Sequence, residues 1–191
     1  TLDGWDGDPK LWRVEDGAIT GQTSDDDPIK HNSFLIWREG KVDDFELTLE
    51  YRIEGGNSGI QYRSWEEPEK VGRWVIGGYQ ADIDSKGTWT GALYGERYRG
   101  ILAARGQKTV IGDNHKPKVV GEIGSRDELL KHIKPDGWNK YRIIAKGYTF
   151  IHEINGHTMV EVTDEDEAER RRSGLLAFQV HRGPPMKVQF R

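Results

Sequence analysis

Gly77-Gly78-Tyr79-Gln80-Ala81-Asp82-Ile83-Asp84 is the stretch on which the fold turns. Two glycines permit a turn or a close backbone approach, and the residues after them alternate. Tyr79, Ala81 and Ile83 share one side; Gln80, Asp82 and Asp84 share the other. A period of two predicts a strand, with its odd positions in a core and its even positions forming a row of amide and carboxylates. Acidic residues are depleted from strands, so such a row is either a plain solvated face or a built site.

Alternation recurs on both sides of this stretch. Glu46 to Ile53 sends Leu47, Leu49, Tyr51 and Ile53 one way and Glu46, Thr48, Glu50 and Arg52 the other. Glu54-Gly55-Gly56-Asn57-Ser58-Gly59 then predicts a turn into a strand over Ile60 to Arg63, with Gln61 and Arg63 on one face. Upstream, Asp16-Gly17 predicts a tight hairpin before Ala18, and Ser33 to Trp37 reads as a short apolar strand. Downstream, Asn155-Gly156 predicts a type I′ turn between Tyr148–Ile154 and His157–Val162. Leu176, Phe178 and Val180 point inward on a further strand and leave Gln179 and His181 opposite, after which Met186, Val188 and Phe190 alternate to the end.

Two stretches read differently. Residues 85 to 100 carry Trp89, Tyr94, Glu96, Tyr98 and Arg99 among glycines, the composition of a binding loop. From Ile101 to Gly137 the pattern weakens into a long polar excursion, whose one helix signal is the Ser125…Glu128 capping box before Ile133. About a dozen short strands with under about 10% helix predict an all-β, two-sheet sandwich.

Composition agrees. A chain of 191 residues fits one domain spanning 1–191, and 24 glycines with 7 tryptophans, 7 tyrosines and 5 phenylalanines suit a turn-rich β protein. A formal net charge of −4 leaves no electrostatic footprint for nucleic acid, and no apolar run reaches the ~20 residues of a membrane span. Without cysteine, disulfides, thiol catalysis and zinc–thiolate sites are excluded. The chain opens on Thr1 rather than Met, so a cleaved signal peptide or a neighbouring domain is expected upstream.

Six ordered motifs carry a family resemblance: Asn57 to Arg63 (NSGIQYR), Gly77 to Ile83 (GGYQADI), Gly91 to Tyr94 (GALY), Trp138 to Tyr141 (WNKY), Ile154 to Gly156 (ING) and Ser173 to His181 (SGLLAFQVH). Together they resemble the 3-keto-disaccharide hydrolase domain family over essentially the whole chain. The resemblance implies a jelly-roll sandwich of the concanavalin A-like lectin and glucanase type, whose concave sheet holds sugars. It further implies a bacterial, exported protein, periplasmic or secreted, often fused to other carbohydrate-active modules, and cleavage of glycosides bearing a ketone at carbon 3.

The polar rows supply candidates for that chemistry. Gln61 with Arg63, Gln80 with Asp82, and Gln179 with His181 sit at two-residue spacing on three strands, and Glu50 with Arg52 is a fourth such pair. On one face they would make a floor of carboxylate, amide, guanidinium and imidazole, with Tyr94, Glu96 and Arg99 arriving from the loop above. Ordinary glycosidases need two carboxyl groups about 5–10 Å apart, a pair that Asp82 could form with Glu50 or Glu96. A 3-keto sugar needs less, because the ketone acidifies the neighbouring C–H. One base then suffices, Asp82 or His181, with Arg63 or a bound metal steadying the enolate oxygen.

Plainer alternatives stand beside these. Arg63 and Asp82 can form a cross-strand ion pair, His181 can be a satisfied sheet histidine, and His152 faces the core side of its strand. Asp25-Asp26-Asp27 reads as a solvated loop, with a divalent metal such as calcium as the alternative. An enzyme and a non-catalytic carbohydrate-binding module of a larger exported protein share all of these features.

Overall fold

The computed structural model describes residues 1–191. Sixteen strands form, in chain order. The first six are β1 (Trp5–Asp6), β2 (Trp12–Glu15), β3 (Ala18–Gln22), β4 (Ser33–Trp37), β5 (Phe45–Glu54) and β6 (Asn57–Glu66). After a four-residue helix, α1 (Pro68–Val71), come β7 (Ile76–Asp84), β8 (Leu93–Glu96), β9 (Gly100–Ala103), β10 (Gln107–Ile111) and β11 (Pro117–Glu122). Helix α2 (Arg126–Leu130) precedes β12 (Asn139–Lys146), β13 (Thr149–Ile154), β14 (His157–Asp164), β15 (Leu175–Val180) and β16 (Lys187–Phe190).

They assemble into two sheets, a seven-stranded one in the order β1-β4-β15-β6-β7-β8-β9 and a nine-stranded one in the order β11-β10-β14-β13-β12-β5-β16-β3-β2. Every pairing is antiparallel except β10 with β14. The expected all-β sandwich is present, and its core lies between the sheets. Tyr79, Ala81 and Ile83 of β7, Ile60 and Tyr62 of β6, and Phe178 and Val180 of β15 meet Leu49, Tyr51, Tyr141, Ile143 and Phe150 of the other sheet. Burial of this apolar surface, at ~25 cal/mol per Å², is what closes the sandwich.

Both predicted hairpin turns form with positive φ at each central residue: 51° and 76° at Asp16-Gly17, 51° and 84° at Asn155-Gly156. Such angles match the right-handed strand twist and explain why Asn or Asp precedes Gly in both. The polar excursion is more ordered than its composition predicted. It holds β9, β10, β11 and α2, and the Ser125 hydroxyl caps α2 by accepting from the Glu128 amide. That helix is shorter than the expected run to Ile133, and α1, led by Pro68, was not expected at all.

The outer face of the seven-stranded sheet divides in two. At one end Phe34, Ile36, Ile76 and Ala177 form a small apolar cluster, against which Trp74 packs. Trp74 is fixed there by its carbonyl, which accepts from the Phe34 amide, and by its indole N–H, 2.7 Å from Asp6 Oδ1. The other end stays uncovered and carries the polar rows.

Candidate functional site

At that uncovered end lies a cleft of about 380 Å³. Its floor comes from the even positions of β7 and their neighbours on β15 and β8: Gln80, Asp82, Gln179, Tyr94 and Glu96, with His181 just beyond β15. Antiparallel pairing sets the register, placing Gln80 opposite both Gln61 of β6 and Tyr94 of β8.

An amide relay runs under the floor. Gln61 Nε2 donates to Gln80 Oε1 at 2.7 Å, Gln179 Nε2 donates to the same oxygen at 3.0 Å, and Gln80 Nε2 donates to Asp82 Oδ1 at 2.7 Å. Ser64 Oγ closes the far end by donating to Gln61 Oε1 at 2.6 Å. Each amide is thereby held in one orientation, which fixes the aim of the Asp82 carboxyl. Gly59 makes room for the relay, since a Cβ there would lie 2.5 Å from Gln80 Cγ and Cδ.

Loss of solvent pushes Asp82 up to about 8, reinforced by the nearby Glu96 and Asp84 charges and opposed by the Gln80 hydrogen bond. Burial also raises Glu96, against the pull of its Asn32 hydrogen bond at 3.1 Å and of nearby His181 and Arg97. Two carboxyl groups raised by their surroundings therefore share one cleft with an imidazole. His181 Nδ1 lies 2.5 Å from the Arg182 carbonyl. A carbonyl only accepts, so Nδ1 carries a proton, and in the neutral ring Nε2 is the acceptor.

Four of the expected site residues lie elsewhere. Arg63 is fully buried and points away from the cleft, because the strand bulges between Tyr62 and Trp65 and Arg63 takes a φ of 48°. Its guanidinium donates to the Asp43, Gly147 and Arg171 carbonyls and to Asp44, so it forms no ion pair with Asp82 and cannot reach a substrate there. Arg99 is drawn toward Asp164 and Asp166 and the Tyr79 hydroxyl, which belong to the interior. Glu50 sits on β5 in the opposite sheet, paired with Arg191 at 2.8 Å, and Arg52 beside it donates to Gln189. Gln61 belongs to the relay beneath the cleft and does not line it.

His152 is structural, as read: it lies between the Tyr62 and Tyr141 hydroxyls at 3.0 and 3.5 Å, and burial pushes it down to about 3. Asp25, Asp26 and Asp27 are exposed, and no group of three or more His, Asp or Glu side chains is placed to hold a metal ion.

The cleft also contains residues that pattern reading passed over. Asn32 and Arg182 come from loops, Asn57 and Ser58 from the start of β6, and Ile101 from β9. Trp89 stands at the rim because Asp84, next along the polar row, accepts the amides of Thr88, Trp89 and Thr90 at 2.8–3.0 Å. The sequence did signal Trp89 through its aromatic-rich loop. Nothing periodic marks Asn32 or Arg182, which are brought in by the fold alone.

The family model for the 3-keto-alpha-glucoside-1,2-lyase-like domain matches residues 1–191. The chain belongs to that family. No curated protein matches it in sequence. Among solved structures it is similar to a putative glycosyl hydrolase from Parabacteroides distasonis, at 23% identity over 98% of this chain and 85% of that one, with a TM-score of 0.59. The carbohydrate-binding module CBM66 from Bacillus subtilis is 15% identical, with 97% and 91% covered and a TM-score of 0.60. The laminarinase catalytic domain from Thermotoga maritima is 13% identical, with 96% and 78% covered and a TM-score of 0.53. These likenesses make the fold a concanavalin-like jelly roll.

Proposed function

We propose that this family member cleaves 3-keto-glycosides at the cleft by elimination. The observation that carries the reading is Asp82, a carboxyl pushed up to about 8 and aimed by the Gln61–Gln80–Gln179 relay into a sugar-sized cleft. A ketone at carbon 3 acidifies the C–H at carbon 2. The Asp82 carboxylate takes that proton, the C–H electrons form a C1=C2 double bond, and the C1–O bond breaks. The departing oxygen takes a proton from Glu96, which lines the same cleft. Hydration of the enone afterwards makes the net change a hydrolysis.

Burial serves this step because a carboxylate deprived of water is the stronger base, and base strength close to the working pH favours proton transfer. Trp89 and Tyr94 offer ring faces for the pyranose, and Asn32, Asn57 and Gln179 offer polar groups for its hydroxyls. Arg63 has no part in this scheme; charge on the enolate oxygen falls to donors that line the cleft.

The test is release of monosaccharide and enone from 3-keto-trehalose or 3-keto-lactose, followed against pH. With Asp82 as base, kcat/KM climbs as pH rises through about 8 and Asp82→Asn abolishes turnover. A rate that falls through that pH instead makes Asp82 the acid and His181 the base. Saturable glycan binding with no turnover at any pH assigns the cleft to a binding module.

A further inference from the structure

We propose that the leaving group of the cleaved glycoside carries an anionic oxygen group, held by Arg97 and Arg182 in a hollow that continues the cleft beyond Glu96. The inference rests on the elimination reading above and names the substrate class within it.

The hollow measures about 300 Å³ and is lined by His31, Asn32, Val75, Glu96, Arg97 and Arg182. Asn32, Glu96 and Arg182 line the cleft as well, so the two spaces meet at these residues. Register orders them. Glu96 lies opposite Gly78, four residues along β7 from Asp82, so base and acid mark different ends of the cleft. A leaving oxygen that takes its proton from Glu96 therefore departs at the end where the hollow opens. Asn32 fixes that junction: its side-chain amide donates to Glu96 at 3.1 Å, and its side-chain oxygen accepts from the Arg182 backbone amide at 3.0 Å.

The lining selects the occupant. It has no tryptophan, tyrosine or phenylalanine, and Val75 is its one apolar side chain, so a sugar ring finds no face to stack on there. Its charge is positive in a chain whose net charge is −4. Arg38, Arg99, Arg142, Arg172 and Arg191 are held in ion pairs, whereas Arg97 and Arg182 are in none, and neither guanidinium donates a hydrogen bond. Strand alternation would send Arg97 to the face opposite Glu96. It instead sits in the left-handed region at a φ of 50°, uncommon for a non-glycine residue, and lines the same hollow as Glu96. Glu96 is the one carboxyl in the lining, and as proton donor it is uncharged while the substrate is seated. Once the proton has gone, its carboxylate repels the acidic product and favours release.

The probes are three aryl 3-keto-glucosides whose phenol carries a para carboxylate, sulfonate or neutral carboxamide. Their kcat/KM values are compared in the intact wild type, Arg97→Asn, Arg97→Lys and Arg182→Gln; asparagine tolerates the left-handed backbone. The anion-to-amide ratio is the readout, because intrinsic leaving-group reactivity cancels between wild type and variant. That ratio should fall about tenfold in Arg97→Asn and in Arg182→Gln, mainly through KM, and should be largely kept in Arg97→Lys. The anion with the larger ratio, carboxylate or sulfonate, identifies the group. The inference is overturned if both neutral variants keep the wild-type ratio. Should no glycoside turn over, the elimination reading fails separately, and the same ratios are read as calorimetric affinities. A fall in the neutral variants then upholds the anion site; an unchanged ratio, or no binding, overturns it.

Discussion

Asp82→Asn should make the protein more stable relative to wild type as pH rises. Desolvation lifts the folded-state pKa from an ordinary 3.8 to about 8. Below about pH 4 both folded and unfolded chains hold the proton, and the site costs nothing. Between the two values the unfolded chain releases the proton while the folded chain keeps it, so stability drains away as pH increases. Each pH unit in that window costs up to ~1.4 kcal/mol. From pH 5 to pH 8.5 the wild type crosses about three such units, a ceiling of ~4 kcal/mol. Asp82 borders an open cleft, where water and side-chain relaxation screen the charge, so about half that ceiling, ~2 kcal/mol, is the expected loss. Asparagine keeps the shape and the acceptor oxygen for Gln80 and removes the titration.

Thermal unfolding of both proteins at pH 5 and at pH 8.5 reads this directly. For a domain of this size ~2 kcal/mol corresponds to roughly 4–8 °C in Tm. The variant should gain that much on the wild type between the two pH values. Parallel curves, with the same Tm difference at both, would show that Asp82 titrates like a solvated carboxyl and would remove the basis for treating it as a tuned base.

Other outcomes follow from the same geometry. Arg63→Leu strands three backbone carbonyls that accept from the guanidinium, and should cost ~3 kcal/mol or more in denaturant unfolding while leaving cleft affinity unchanged in the folded protein. Gly59→Ala puts a Cβ 2.5 Å from the Gln80 side chain, so turnover should fall about tenfold or more with Asp82 still present; an unchanged rate refutes the relay. Gly156→Val forces a β-branched residue to a φ of 84° and should lower stability by about 1 kcal/mol or more. No neighbour lies within 4 Å of a Cβ there, so backbone strain alone would be responsible, and an unchanged Tm contradicts it.

The sandwich was legible because period-two alternation and the Asp-Gly and Asn-Gly turns are local signals, and the core strands obey them: Tyr79, Ala81 and Ile83 are all buried as the pattern requires. Strands β9 to β11 were missed for the opposite reason. They run only four to six residues, and β11 is almost wholly exposed, so neither face is selected for apolarity. The cleft was legible where one strand supplied it. Gln80 with Asp82, and Gln179 with His181, reached it by alternation, whereas Asn32 and Arg182 reached it through loops whose paths no local rule predicts.

Arg63 shows where alternation fails. Counting by twos from Gln61 places it in the cleft, and the count is sound as far as Tyr62, which still pairs with Tyr79. Beyond that point β6 carries one extra residue, Trp65 pairs with Gly77, and Arg63 enters the left-handed region. A bulge of this kind reverses the facing of its residue, which converts a candidate oxyanion donor into an interior brace. Two glycines accommodate it: a Cβ on Gly78 would lie 2.3 Å from the Ser64 hydroxyl, and one on Gly174 would lie 2.3 Å from the Arg63 carbonyl carbon. Both glycines fall within motifs that carried the family resemblance, GGYQADI and SGLLAFQVH. Those motifs therefore combine two physical demands, a polar row that builds the cleft and bare backbone that admits the bulge beside it. The same bulge places Ser64 where its hydroxyl can hold Gln61 at the end of the relay, so the distortion that removes Arg63 from the site also steadies the amides that aim Asp82.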